Sequence, residues 1–381
     1  MTTTSATRRP TQRPSILTGA ALVLALSMAS CGGPAGGAEG AATPPPAGKP
    51  AERAPVATTD AKAAPPPAPA EAKVKLALPP VEIEAPEEPL KLGGKDVTAE
   101  LCALDASAPE MKAKSFSSAI RPLTVLPDGA LLVLDHEGKV RKYVPRKGDK
   151  CELALDPAFG QGGVLTVTDE LSSLAPAPNG RVFAWSWSKL HRIDGNKAEA
   201  SQCSVKAIDP GGTIGFTSFG TEITRVKLDA ECAEEKWPVK GLNEKDASIA
   251  LISPLAGGDV AVSVSVKGAY FLSINGPDGK QKLKLGAKNG DEQICNVNDV
   301  EPCAQGLCVL DGNCRAIRAW DPKKGTFVGA IKVNDLLGVS YPWPIDIAMG
   351  KGVAYMTATH AGKTEGDENS YGMIFRIKGL N

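Results

Sequence analysis

Residues able to do chemistry are sparse in this chain. Three histidines, His136, His191 and His360, serve all 381 residues, so a multi-histidine metal centre is nearly excluded. Nucleophile elbows, HExxH helices and glycine-rich phosphate loops are missing from the sequence. Carboxylates remain. Glu222, Asp299, Glu301 and Asp346 sit in or beside apolar runs, where an inward-facing oxygen can serve a hard cation. A second set, Glu365, Asp367, Glu368 and Asn369, offers oxygens suited to Ca2+ in a spacing unlike the twelve-residue EF-hand loop. Beyond that calcium option no cofactor or metal is expected. Lys+Arg and Asp+Glu are both 43, for a net charge of zero. Such a chain lacks the basic footprint of a nucleic-acid binder.

The N-terminus reads as an address. Arg8, Arg9 and Arg13 precede an apolar run from Ile16 to Ala29. That run is short of the roughly 20 residues a membrane span needs and suits a signal-peptide core. It ends in Met28-Ala29-Ser30-Cys31, which resembles the lipobox of bacterial lipoproteins, with Met28 in place of the usual Leu. The resemblance implies cleavage before Cys31 and acylation of Cys31, hence a lipid anchor in the membrane. Gly32 and Gly33 stand where Asp would retain a lipoprotein at the inner membrane, so the outer membrane is the expected address. Residues 1–30 are then a signal peptide. Residues 31–93 are the lipidated Cys and a linker dominated by Pro and Ala, with the triplets Pro44-Pro45-Pro46 and Pro65-Pro66-Pro67. Such a tract favours polyproline II and cannot build a core. Its last part, from Lys73 to Leu92, mixes in Val, Ile and Glu and can dock on the domain.

Export gives the remaining cysteines a meaning. Cys102, Cys151, Cys203, Cys232, Cys295, Cys303, Cys308 and Cys314 make an even set in an oxidising compartment, which reads as four disulfides. Eight cysteines allow 105 connectivities. Proximity along the chain suggests Cys102–Cys151, Cys203–Cys232, Cys303–Cys308 and Cys295–Cys314. The last cluster, with spacings of eight, five and six, is read as two disulfides rather than as a structural zinc site.

Residues 94–381 are repetitive. Leu123–Gly129, Ala130–Leu134 and Lys139–Tyr143 read as strand, turn, strand, turn, strand. The pattern returns from Leu174, Leu251, Val300 and Ile345, with a weaker copy between Thr213 and Leu228. Turn glycines at 129, 180, 258, 306 and 352 fit a unit of about 45 residues, the length of a four-stranded propeller blade. No amphipathic helix is evident. The expectation is an all-β domain, a six-bladed β-propeller with seven blades as the alternative. The last unit ends on its third strand, so Val97–Leu104 is the natural donor of its outer strand, locked by Cys102.

Two further resemblances support this reading. Leu155-Asp-Pro-Ala-Phe-Gly-Gln-Gly-Gly-Val164 resembles the delta-60 repeat of exported bacterial proteins, with Pro127-Asp128-Gly129 and Lys139–Tyr143 in the places that repeat implies. Pro344–Tyr355 resembles the units of NHL-like propellers. Tryptophan-docking motifs of quinoprotein dehydrogenases are not evident.

In a propeller, loops from second to third strands share a face with the connections between blades. That rule gathers Asp135, His136, Trp187, Asp311, Asn313, Thr359 and His360, with Tyr341 and Trp343 on an inter-blade connection. Aromatics beside polar groups make a recognition surface. The same residues equally suit packing (Trp185 and Tyr341 between blades) and turn formation (the Asp residues). His136 and His360 can act as acid and base, though solvated loop histidines are far commoner, and His191 reads as a strand residue. Two function classes follow. One is a non-catalytic binding or scaffold module at the envelope, with a protein or glycan partner. The other is a metal-dependent hydrolase or lyase, as in some six-bladed relatives that hold a metal with inner-strand Glu, Asp or Asn. Convergence of three or more of Glu222, Asp299, Glu301 and Asp346 on the central channel favours the second. A channel of apolar groups or stray lysines favours the first.

Overall fold

The computed structural model describes residues 75–381 except 80, 106–121, 135–137, 168–170, 187–188, 230, 240–241, 243–244, 288–289 and 361–370. The expected signal peptide, Cys31, the Pro/Ala tract up to residue 74, Asp135, His136, Trp187 and the loop bearing Glu365, Asp367, Glu368 and Asn369 lie outside the described residues.

The contrast among strands within a unit explains the architecture. Second strands are apolar on both faces: Leu131–Leu134, Val182–Trp185 and all but the first residue of Gly306–Asp311 are buried. A strand buried on both faces needs a sheet on each side, so each unit must stack between neighbours. Fourth strands are the reverse. Lys197–Ser201, Glu234–Trp237 and Gln281–Leu285 are largely exposed and charged, which blunts the outer edges against pairing with other chains. Inner strands converge on a central channel. The result is an all-β propeller.

Four sheets are four-stranded antiparallel meanders in chain order, beginning at Ser173–Pro176, Ala207–Ile208, Ala247–Pro254 and Val297–Cys303. The closing sheet has five strands: Pro342–Gly350, Val353–His360, Tyr371–Lys378, Lys95–Leu101 and Leu90–Leu92. Its outer pair comes from the N-terminal side of the domain, with Phe375 opposite Leu101 and Lys378 opposite Thr98. These five sheets have the regular blade form. The sheet holding the first clear repeat does not. It has seven strands, and Ala103–Asp105 runs parallel to Glu152–Leu155. Five regular blades therefore replace the six, or seven, that counting units gives. The physical reason lies in closure. After finishing the last blade the N-terminal strand continues past Cys102 and adds itself to the outer edge of its neighbour, so that unit cannot keep the plain four-stranded form.

The seam between these two sheets is heavily fastened. Cys102 is bonded to Cys151. Glu100 Oε1 accepts the Cys151 N–H at 2.7 Å, and Arg376 donates to Glu100 Oε2 at 2.5 Å and to the Asp149 carbonyl. The other three disulfides are Cys203–Cys232, Cys295–Cys314 and Cys303–Cys308. The segment before the seam also docks. Leu76–Ala77 pairs with Ala103–Asp105, and the Glu84 N–H donates to the Gly338 carbonyl at 2.7 Å. Gly338 caps the short helix Val333–Leu337.

The delta-60-like turn has a steric explanation. Phe159 is buried, and Asn196 from the next blade accepts the Gly160 N–H and donates to the Ala158 carbonyl. Gly160 has φ +54, and a Cβ there would lie 2.1 Å from the Val164 carbonyl oxygen. Only glycine fits.

Candidate functional site

The innermost strands enclose a cavity of about 580 Å³, lined by Pro122–Val125, Ser173–Pro178, Lys206–Ile208, Leu251–Ala256, Asn298–Pro302 and Ile345–Met349. Three consecutive inner strands share a device there. Ladder register shifts between Ile249 and Leu251, between Val297 and Asp299, and between Pro344 and Asp346. Each bulge inserts one residue, bends the strand and re-aims the side chains that follow. Leu251, Asp299 and Asp346 are thus equivalent positions, and two of the three are acids. Glu301 follows Asp299 two residues on, facing the same cavity.

Asp346 is well served by donors. Its Oδ2 accepts the Leu123 N–H at 2.8 Å and its Oδ1 the Ile347 N–H at 3.0 Å. Asp299 accepts only the Val300 N–H, at 2.8 Å on Oδ1. Its Oδ2 is shut off from water with no N–H or hydroxyl in reach. The two carboxyls are neighbours in the cavity, and each one's charge bears on the other's protonation. Burial, then the charges of Asp346 and Glu301, holds Asp299 well above the usual carboxylate range. Burial raises Asp346 to about 6, against the pull of the Leu123 N–H, the Asp299 hydrogen bond and the Ile347 N–H. Burial and the Asp346 charge push Glu301 up to about 8. With two backbone donors on Asp346 and one on Asp299, Asp299 is the more readily protonated of the pair. Lys206 also lines the cavity, but its ammonium donates to Ser218 O at 2.9 Å and Ser218 Oγ at 3.1 Å.

Three of the four carboxylates singled out from the sequence thus line the channel, as the metal-dependent class requires, together with the apolar groups and the lysine, Lys206, that the binding class requires. Glu222 does not: it is exposed at the end of a hairpin, 3.5 Å from Lys236. Convergence alone does not make a metal centre. Among the described residues, the group of three His, Cys, Asp or Glu ligand atoms lying within 4.8 Å of one another is Cys295, Asp311 and Cys314. Two of these are a disulfide, and the carboxylate is fully engaged elsewhere. The channel acids are spread more widely, and both oxygens of Asp346 already serve backbone donors. They fit a resident divalent ion poorly as arranged.

Of the residues assigned to a loop face, some are exposed and others are buried. Tyr341 is 57% exposed and Trp343 half-buried, and the Arg315 guanidinium lies 5.9 and 5.7 Å from their ring centroids. Tyr341 and Arg315 both have positive φ, 58 and 47, a strained backbone for bulky residues. Asn313 is exposed in the adjoining turn. His360 is opposite Pro342 and Tyr371 in the ladder. Asp311 must be removed from this face. It is fully buried and accepts the N–H groups of Cys295, Asn296 and Cys314 and the Arg318 Nη1 at 2.8 Å. It is a hub that ties the Cys295–Cys314 loops to the blade. Thr359 is buried as well, as are Trp185 and His191. Tyr341 is not packed between blades.

The bulges, and with them the pairing of Asp299 and Asp346 at one level of the channel, were not anticipated. The ladder register makes the two acids equivalent, each four residues before its hairpin at Cys303/Gly306 or Gly350/Val353, whereas the turn glycines 306 and 352 leave them one residue out of step.

No family model matches this chain, and no curated protein matches it. Among solved structures the chain is similar to one titled "YCF48 bound to D1 peptide", with a TM-score of 0.46 and 10% sequence identity over 77% of this chain and 99% of that one. The propeller assignment rests on the sheet order and closure described above.

Proposed function

We propose that the protein is a binding module of the bacterial envelope, anchored through acylated Cys31 and spaced from the membrane by its Pro/Ala tract, that admits a cationic group into its central channel. The observation that carries this reading is a largely apolar cavity that also gathers Asp299, Glu301 and Asp346, while its one basic neighbour among the described residues, Lys206, is turned to Ser218. Carboxyls in a confined, low-dielectric channel focus negative potential inward. A cavity of about 580 Å³ suits a small ligand or a protruding side chain rather than a folded surface. An ammonium or guanidinium entering there would replace a carboxyl proton and relieve the repulsion among the acids.

The test is calorimetric titration of the full chain with spermidine and with arginine amide, at pH 8 and pH 5. Binding at pH 8 that weakens at pH 5, and that is lost in Asp299→Asn and Glu301→Gln, supports the proposal. Equal binding by the wild type and both variants would exclude the channel as the site. A second reading, the metal-dependent hydrolase or lyase, draws on the same convergence. One-to-one uptake of Ca2+ or Mn2+ that is abolished by Asp299→Asn, without amine binding, would favour it. Intact mass of protein from membranes of the native host tests the anchor: an acylated chain beginning at Cys31 is expected, and an unlipidated full-length chain refutes it.

A further inference from the structure

The channel strands Val297–Cys303 and Pro342–Gly350 belong to different sheets, so no ladder fixes their separation. Two carboxyls projecting from such neighbours would repel and drift apart. One side chain bridges them at the level of the bulges. Asn298, the residue inserted by the first bulge, donates from Nδ2 to the Pro344 carbonyl at 2.8 Å. Pro344 is the last paired residue before the second bulge. A carbonyl can only accept, so the amide must present its NH2 there. Its Oδ1 then accepts from Asn296 Nδ2 at 3.4 Å. Gly312 covers the amide so closely that a Cβ at 312 would lie 2.4 Å from Oδ1 and 2.5 Å from Nδ2. The amide is held on three sides, and the next residues inward are Asp299 on one strand and, beyond Ile345, Asp346 on the other.

We propose that Asn298 is a positioning residue that clamps the two bulges together and so keeps Asp299 and Asp346 close enough to share one proton. This rests on the channel being the binding site. The clamp gives the site a defined protonation state before any ligand arrives, and it makes ligand entry an exchange of one proton for one positive charge. The titratable groups facing the pair are Glu301 on its own strand and, across the cavity, Lys206, which is bonded to Ser218.

The test is carboxyl-detected NMR titration of the full chain carrying 13C-labelled Asp, with resonances assigned by Asp299→Asn and Asp346→Asn. In the wild type the two carboxyls are expected to titrate as a coupled pair. In Asn298→Ala the proton affinity of Asp299 is expected to fall at least about tenfold, the effect of losing a close carboxylate partner. The coupling to Asp346 should vanish, while the amide spectrum elsewhere and the four-disulfide mass stay unchanged. Asn298→Ser keeps a small polar group beneath Gly312 but cannot span to Pro344, so it should titrate like the Ala variant and serves if that variant does not fold. A folded Ala or Ser variant with the wild-type coupled titration overturns the clamp and leaves the channel reading standing. Independent titration of Asp299 and Asp346 in the wild type overturns the acid pair itself, and with it both proposals.

Discussion

Glu301→Gln is the sharpest probe of the channel, because it should stabilise the protein and only above a particular pH. Glu301 is half-buried beside Asp346. Burial and that neighbouring charge move its carboxyl from 4.5 to about 8. Below pH 4.5 the group is protonated in folded and unfolded chains alike, so Gln, a neutral isostere, should change little. Between 4.5 and 8 the folded chain holds a proton that the unfolded chain has released, so wild-type stability falls as pH rises. Above 8 the full cost of an ionised Glu301 is present. At about 1.4 kcal/mol per pKa unit the ceiling is about 5 kcal/mol. Water in the channel and the coupling to Asp346 reduce the expected gain of the variant to about 2–4 kcal/mol. For a domain of this size that corresponds to about 4–8 °C in Tm. The assay is thermal unfolding followed by circular dichroism at half-unit steps from pH 4 to pH 9, for both proteins. The advantage of the variant should be near zero at pH 4, grow through neutrality and level off by pH 9. A constant difference across that range, or a variant less stable at pH 9, would refute the burial argument.

Other perturbations separate structural roles from functional ones. Asp311→Asn leaves the buried Arg318 guanidinium without its counter-charge and should cost about 3–5 kcal/mol in urea unfolding; a loss below about 1 kcal/mol would mean the ion pair is dispensable. Replacing Cys102 and Cys151 together by Ser opens a bridge of sequence separation 49, worth about 4 kcal/mol by loop-closure entropy. Native-state hydrogen exchange should then rise first at the strands Lys95–Leu101 and Tyr371–Lys378, and uniform loosening of all sheets would contradict the seam. Gly160→Ala and Gly162→Ala share positive φ, but only Gly160 meets backbone at 2.1 Å. The second should cost about 1–2 kcal/mol and the first clearly more, and equal costs would remove the steric account of the turn.

Much of the fold is legible from residues that have no choice. Gly129, Gly180, Gly258 and Gly352 all take positive φ between first and second strands, a conformation that marks them as turns whatever surrounds them. The disulfide pairing is readable for a related reason. Each bridge joins positions that one unit or one seam brings together, so proximity along the chain suffices. The first sheet was not legible. Its parallel strand is decided by where Lys95–Leu101 leaves the closing blade, and no local pattern in Ala103–Asp105 records that. Asp311 failed differently. An acid at a hairpin tip reads as exposed, and only Arg318, seven residues on across the turn, reveals that it is neutralised inside.

The channel acids show the limit most clearly. Asp299 and Asp346 follow short polar or apolar residues and match no motif, yet they fall at one position of the repeat. Their unusual protonation comes from two bulges and the Asn298 amide that spans them. A bulge is a property of two paired strands, and the separation of two inner strands is a property of two sheets. Residue type supplied the carboxyls, repeat position brought them to the same depth of the channel, and only register between strands turned them towards each other. On the proposed reading the site is written at the level of register, so a propeller with the same acids and unbulged inner strands should have ordinary, independent carboxylates.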